Sequence, residues 1–353
     1  MNRIIKIGLT IAVTLSLLGI MVVPVLASDG SATIVNSQFS IGDGTHGKNI
    51  QIGSTVTEYS NGITEVVGPD NSVVLKAADS DSPSIQTPDG PAQADRVFEV
   101  PAGTYLVTNG DVVTAYQNNV AILTKINQHD VSSANNQSSS SATPPQIFRN
   151  PGWIEDAYDT GIKADYNSAY WVVPHMPVNH NTDAINFLFN SELDWTGQNI
   201  IQPVLQYNQA SEHCWTIADW YGMWGTYIHT GDLVVNEGDL IQGTMTFEGN
   251  DVWDIDIKDI TTGFTMPFDL RQVNFGPDNP FGQMVCWALE GYHIQNNNDV
   301  CDSELFSNIT LTRNGNPVSL HLKTCVGSNF SQLTNLSVAT SPTSVALYTA
   351  NWY

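Results

Sequence analysis

Short segments of alternating polar and apolar residues fill the chain from residue 148 onwards, and none has the 3.6-residue period of an amphipathic helix. Turn-forming pairs such as Gly238-Asp239 and Asn314-Gly315 separate them. Strands of this kind bury their apolar rows by packing one sheet against another. The pattern predicts two packed antiparallel sheets, with strands at residues 169–173, 184–190, 199–207, 215–220, 240–247, 252–257, 284–292, 306–312, 318–322 and 344–353.

The first 27 residues have the parts of a secretory signal. Arg3 and Lys6 precede an apolar run that ends near Val23, and small residues follow at a cleavage point after Ala27. The run is close to the shortest that spans a bilayer, so an uncleaved anchor is the alternative. We expect a secreted, extracellular protein without membrane contact once residues 1–27 are removed.

Two segments make up the rest of the N-terminal part. Strand-like runs separated by Gly, Asn, Asp and Pro predict a small β-rich module over residues 28–128. A propeptide, an adhesion module and a spacer are its alternative roles. Residues 129–147 are rich in Ser, Asn and Pro and cannot bury enough apolar surface to order themselves, which predicts a flexible linker. The sandwich domain is expected at residues 148–353.

The charge of the chain excludes some partners. With 35 acidic and 12 basic residues the formal charge is −23, which repels nucleic acid and anionic lipid. The histidines show neither His-x-His nor His-Glu-x-x-His spacing. We therefore predict no nucleic-acid partner, no metal site and no cofactor, and we expect a monomer.

Four cysteines, an even number in an exported chain, favour disulfides over metal-binding or catalytic thiols. Three pairings of Cys214, Cys286, Cys301 and Cys325 are possible. The turn-like residues 295–299 favour the pair Cys286–Cys301.

Two predicted strands carry the residues with catalytic chemistry. In residues 199–207, period two places Gln202 and Gln206 on one face and aliphatic residues on the other, as in a strand buried on one side. Residues 284–292 carry one carboxylate, Glu290, in an apolar run without Lys or Arg. Such surroundings disfavour the charged form and suit a proton donor or acceptor. We hypothesise that Gln206 and Glu290 meet on one sheet face; a polar face turned to solvent is the alternative.

Five motifs follow one another in a set order over most of residues 150–325: Pro203-Val204-Leu205-Gln206, Trp220-Tyr221, Glu237-Gly238-Asp239, Thr261-Thr262-Gly263 and Trp287-Ala288-Leu289-Glu290 followed by Tyr292. Their order and spacing resemble the glutamic peptidases called eqolisins, which are secreted, acid-acting enzymes. The pattern is also similar to that of uncharacterised exported prokaryotic relatives of that family. The resemblance implies an all-β fold, a concanavalin-like antiparallel β-sandwich.

The resemblance further implies that Glu290 is the catalytic carboxylate and Gln206 its amide partner. Glu290 would activate a water and then protonate the leaving amine, while Gln206 would donate an N–H to the oxyanion of a polypeptide substrate. Gly222 and Gly291 depart from the family, in which fungal members have a glutamate and an aspartate. The expected function is a secreted acid endopeptidase. The alternative is a non-catalytic lectin-like module that binds carbohydrate or a surface partner.

Aromatic residues lie between the two candidate strands. They form either core packing or the wall of a cleft that stacks on peptide or sugar. Trp220 is the best candidate for such a wall, and Gln202 and Tyr221 complete the predicted substrate-binding set. Asp254 and Asp256 share a strand face that faintly resembles the paired acids of lectin-like glucanases. We interpret them as a solvated face, with a calcium site as the lesser alternative.

Overall fold

The computed structural model describes residues 38–41, 48–78, 82–128, 150–194, 197, 199–209, 212–223, 225–273 and 281–351. The predicted signal peptide at residues 1–27 and the predicted linker at residues 129–147 lie outside these residues. The described residues belong to one compact unit. None of the described segments is a helix of the length and hydropathy needed to cross a membrane.

In the described residues, strands make up nearly all of the regular structure, and 3-10 turns occur at Ala94–Arg96 and Asn297–Asp299. The strands are, in chain order, β1 (Gln38–Ile41), β2 (Lys48–Gln51), β3 (Ser54–Tyr59), β4 (Ile63–Val67), β5 (Val73–Ala78), β6 (Ser84–Thr87), β7 (Gly90–Gln93), β8 (Val97–Val100), β9 (Thr104–Asn109), β10 (Val112–Gln117), β11 (Val120–Gln128), β12 (Trp153–Thr160), β13 (Tyr166–Val172), β14 (Ile185–Leu193), β15 (Asn199–Tyr207), β16 (Trp215–Met223), β17 (Thr226–Thr230), β18 (Leu233–Val235), β19 (Leu240–Gly249), β20 (Val252–Asp259), β21 (Phe268–Val273), β22 (Met284–Tyr292), β23 (Glu304–Arg313), β24 (Asn316–Pro317), β25 (Lys323–Val326), β26 (Ser337–Ser341) and β27 (Ser344–Tyr348).

These strands form two large sheets and one separate hairpin. The first sheet has the order β2-β1-β8-β17-β16-β15-β14-β22-β12-β25, with β18 beside β16. The second has the order β26-β27-β23-β13-β19-β20-β21-β9-β10-β11-β3-β4-β5, with β24 beside β23. Strands β14, β15 and β16 of the first sheet pack on β19 and β20 of the second. The predicted all-β sandwich is confirmed.

Apolar side chains from both sheets meet in the interior. Leu205 and Trp287 of the first sheet and Trp171 of the second belong to one buried cluster, and Ile201 and Ile255 to another. A third cluster, here called the outer cluster, lies on the opposite face of the first sheet and includes Trp153, Phe187, Val204, Trp220 and Cys286. Strand β15 is therefore buried on both faces, and the expectation that one of its faces meets solvent is wrong.

The N-terminal residues contribute strands to both sheets. Strand β8 runs parallel to β17, and β9 runs parallel to β21 over six residue pairs from Thr104 to Asn109. The predicted β-rich module of residues 28–128 is thus no separate module in its described part, because all its strands except β6 and β7 complete the sheets formed by residues 150–351. Its role as a propeptide, an adhesion module or a spacer stays a prediction.

The predicted disulfide between Cys286 and Cys301 is not formed. Cys286 belongs to the outer cluster, whereas Cys301 belongs to an interior cluster. The first sheet separates the two sulfur atoms, which explains why the turn between them does not bring them together.

Candidate active site

Glu290 and Gln206 lie in one row across three neighbouring strands. Phe187 of the central strand β14 is paired with Glu290 of β22 on one side and with Gln206 of β15 on the other. Directly paired residues of antiparallel strands point to the same face, and neighbouring strands lie about 4.8 Å apart. The carboxyl and the carboxamide therefore project from one face of the first sheet, with Cα atoms about 10 Å apart.

Three donors hold the carboxyl group of Glu290. The Nδ2 atom of Asn150 donates to Oε1 at 3.1 Å, and the indole Nε1 of Trp153 donates to Oε2 at 3.1 Å. The hydroxyl of Tyr292 also donates to Oε1. The backbone N–H of Gly152 donates to Oδ1 of Asn150 at 2.8 Å, which fixes that amide with its nitrogen toward Glu290. The carboxyl is thus fixed in one orientation.

Burial dominates the protonation of this carboxyl. Glu290 is 0% exposed, and burial raises its pKa well above the ordinary value. The hydrogen bonds from Tyr292, Trp153 and Asn150 lower the pKa by less, and the negative charge of Asp89 raises it further. Glu290 is consequently protonated in acid as long as it stays covered.

The amide of Gln206 has a defined orientation. The indole Nε1 of Trp220 donates to its Oε1 at 3.0 Å, and its Nε2 donates to Oδ1 of Asp232 at 2.7 Å. An indole N–H only donates and a carboxylate oxygen accepts, so the two partners leave no alternative assignment of the amide atoms. One N–H of Gln206 is used by Asp232, and its second remains for another acceptor.

A hairpin formed by β6 and β7 covers this face. Ile85 and Ala92 from its two strands belong to the outer cluster together with Phe187 and Trp220. Gln209 donates through Nε2 to the backbone oxygen of Gln86 at 3.5 Å. The hairpin therefore lies over the face from which the two buried candidate residues project.

The predicted substrate-binding residues separate into two groups. Gln202 and Trp220 are directly paired and belong to the covered face, where the ring of His229 stacks on Trp220 with centroids 4.2 Å apart. Tyr221 follows Trp220 on β16 and points into the interior, where it packs with Ile201 and the second sheet. The prediction that Tyr221 binds substrate is therefore wrong, since successive residues of a strand face opposite sides.

Sequence reasoning missed three partners of the candidate pair: Asn150, Trp153 and Asp232. Trp153 is paired with Glu290 because β12 lies next to β22, and β12 was not among the predicted strands. An alternation over residues 153–160 would have indicated this strand, but acidic residues interrupt its apolar pattern. Asp232 belongs to the turn-forming pair Gly231-Asp232, and a pair of this type indicates only the boundary of a strand.

Both departures from the glutamic-peptidase pattern have a steric reason. A Cβ atom at Gly222 would lie 2.8 Å from Cγ2 of Ile200 and 3.0 Å from Cε1 of Tyr227. At Gly291 it would lie 2.6 Å from Cδ1 of Ile154. Neighbouring side chains therefore fill the space that a side chain at either position would need.

The paired acids of β20 lie away from this face. Asp254 and Asp256 are partly buried on the outside of the second sheet, and Asp254 is paired with Asp269 of β21. Burial raises the pKa of Asp254 to about 6, and the charge of Asp269 adds to the effect. No group of three or more His, Cys, Asp or Glu side chains suited to a metal ion occurs in the described part of the chain.

No protein-family model matches the sequence, and no curated protein matches it. The chain is similar to several solved structures. They include scytalido-glutamic peptidase with a transition-state analogue inhibitor (16% identity, TM-score 0.42, 56% of this chain and 98% of that one). The eqolisin SCP-B with the tripeptide Ala-Ile-His has 16% identity and a TM-score of 0.39 over 56% of this chain and 98% of that one. Aspergilloglutamic peptidase from Aspergillus niger has 14% identity and a TM-score of 0.32 over 47% and 99%. Likenesses of this size carry no argument about what this chain does.

Proposed function

We propose that this protein hydrolyses peptide bonds in acid, with Glu290 as general base and acid and Gln206 as oxyanion donor. The observation that carries the proposal is the single row in which a carboxyl and a carboxamide flank Phe187 on one sheet face. A peptide bond laid over Phe187 would be within reach of both side chains. The polypeptide substrate, the secreted location and the residue roles are parts of the same proposal.

The chemistry follows from the partners of each group. Once solvated, Glu290 would ionise and take a proton from a water that attacks the carbonyl carbon, and it would then give that proton to the leaving amine. The free N–H of Gln206 would donate to the oxyanion as it forms, while Trp220 and Asp232 hold the amide in place. Asn150 and Trp153 would orient the carboxyl group. The neutral amide does not compete with Glu290 for a proton, so the carboxyl can ionise in acid.

The alternative of a carbohydrate-binding module receives less support. Such modules stack sugars on exposed aromatic rings, whereas Trp220 is 0% exposed and its ring is stacked on His229. A buried carboxyl with three donors has no evident use in a flat binding face.

The test compares cleavage of acid-denatured haemoglobin by the full chain and its Glu290→Gln variant between pH 2 and pH 7. New peptide termini are counted by mass spectrometry after long incubation, because the covering hairpin is expected to make turnover slow. We expect the wild-type chain to cleave and Glu290→Gln to be inactive, and Gln206→Ala to lose about 10²–10³-fold in rate.

Glu304→Gln is the matched control, since Glu304 is also buried but lies on β23 outside the candidate face. It should retain the wild-type rate. Equal cleavage by the wild-type chain and Glu290→Gln would remove the proposed mechanism.

A further inference from the structure

The hairpin over the candidate site is attached mainly through side chains. Strands β6 and β7 form a two-stranded sheet of their own, and within the described residues no ladder joins them to either large sheet. Ile85 and Ala92 pack on the outer cluster, and Gln202 donates to the backbone oxygen of Pro88 at 3.4 Å, which is long for a hydrogen bond. An isolated hairpin is marginally stable in water. The β6–β7 hairpin therefore depends for its stability on packing against the face it covers. It can move off that face without breaking hydrogen bonds of either large sheet.

The tip of the hairpin brings an acid to the candidate pair. Tyr227 donates its hydroxyl to Oδ2 of Asp89 at 2.9 Å, and Oδ1 of Asp89 is buried without a hydrogen-bond partner. The carboxyls of Asp89 and Glu290 interact, since the charge of Asp89 raises the pKa of Glu290. The next residue is Gly90, at which a Cβ would lie 3.9 Å from the hydroxyl of Tyr292. That hydroxyl donates a hydrogen bond to Oε1 of Glu290.

Closure by this hairpin is incompatible with the proposed reaction for two reasons. Glu290 and Gln206 are both 0% exposed, so neither water nor a peptide reaches them. Burial also keeps Glu290 protonated, and a protonated carboxyl cannot act as a base.

We propose that residues 84–93 are a self-bound peptide that occupies the substrate position over the Glu290–Gln206 row, so that the chain is latent until this hairpin leaves. The inference rests on the proposed function, and it names the segment that controls access to that site.

The test loosens the hairpin turn in the full chain. Gly90 has a φ of +118°, a backbone conformation that residues with a side chain rarely adopt. Gly90→Ala therefore strains the turn without changing a side chain of the sheet face under the hairpin. The matched control is Gly103→Ala: Gly103 also has a positive φ (+76°), and its added Cβ would meet nothing within 4 Å. Hydrogen–deuterium exchange of residues 84–93, read by mass spectrometry, reports opening. Cleavage of acid-denatured haemoglobin, with and without Glu290→Gln, reports activity.

We expect Gly90→Ala to speed exchange of residues 84–93 about tenfold, the factor that corresponds to about 1.4 kcal/mol of strain, and to raise cleavage by a similar factor. Gly103→Ala should do neither, and Glu290→Gln should abolish the gain. If Gly90→Ala does not fold, Tyr227→Phe serves instead, because it removes the hydrogen bond that holds Asp89.

Two other outcomes separate this inference from the proposed function. A wild-type chain that cleaves as fast as Gly90→Ala while its hairpin stays protected would overturn latency and leave the proposed function standing. If neither chain cleaves, a fluorescent peptide of residues 82–96 still tests occupancy by anisotropy. Binding to Gly90→Ala but not to the wild-type chain would support a self-bound hairpin without peptidase activity, and binding to neither would overturn the inference.

Discussion

Replacing one buried acid should change how the stability of the protein depends on pH. Glu304 is 7% exposed at the start of β23, and burial raises its pKa to about 8 despite hydrogen bonds from the backbone N–H groups of Leu305 and Val172. In the unfolded chain the pKa of a glutamate is about 4.3. The unfolded chain therefore loses this proton first as pH rises, and the folded state loses about 1.4 kcal/mol of stability per pH unit between these values. From pH 4.5 to pH 7 the loss amounts to about 3 kcal/mol.

Glu304→Gln keeps an acceptor oxygen for both N–H groups and carries no titrating proton. Urea unfolding followed by tryptophan fluorescence at several pH values between 4.5 and 7 measures the dependence. The variant should lose about 3 kcal/mol less than the wild-type protein over this range. Equal slopes for the wild-type protein and Glu304→Gln, or stability that rises with pH, would refute the reasoning.

Three further outcomes can be checked by unfolding and labelling. Gly243→Ala should destabilise the sandwich by about 1–3 kcal/mol, because its Cβ would lie 2.5 Å from Oδ1 of Asn190; unchanged urea midpoints would contradict this. Glu58→Gln should lower the free energy of unfolding by about 3–5 kcal/mol, because it removes the counter-ion 2.8 Å from the fully buried Lys125. Loss of the exposed Lys76–Glu65 pair should lower the free energy of unfolding far less. Iodoacetamide should modify only the partly exposed thiols of Cys214 and Cys325 in the native protein. Early labelling of the buried Cys286 and Cys301 would contradict this.

The sequence was sufficient to predict a strand where the residue pattern agrees with the environment of that strand in the fold. The bounds of β15 and β22 match the predicted strands at residues 199–207 and 284–292, because apolar runs with turns at both ends describe buried strands well. The shared face of Glu290 and Gln206 follows from that register, although two strands that are distant in sequence had to become neighbours of β14.

Buried acids account for the strand that was missed. Glu155 and Asp156 of β12 are 0% exposed, and burial raises the pKa of Glu155 to about 8. Sequence patterns treat Asp and Glu as charged and turned to solvent, but a protonated carboxyl behaves as a neutral polar group that a strand can bury. The covering hairpin was missed for another reason. The residues that the hairpin contacts lie more than one hundred residues away along the chain, so a local sequence pattern does not predict these contacts.

The parallel pairing of β8 with β17 and of β9 with β21 has a consequence for any processing of this chain. A break of the backbone between residues 128 and 150 would leave two polypeptides held together by those ladders and by their shared hydrophobic packing. Such a nicked protein would give two bands in a denaturing gel and one particle in a sizing column. Removal of the shorter polypeptide would expose the unpaired edges of β17 and β21. Exposed strand edges favour self-association.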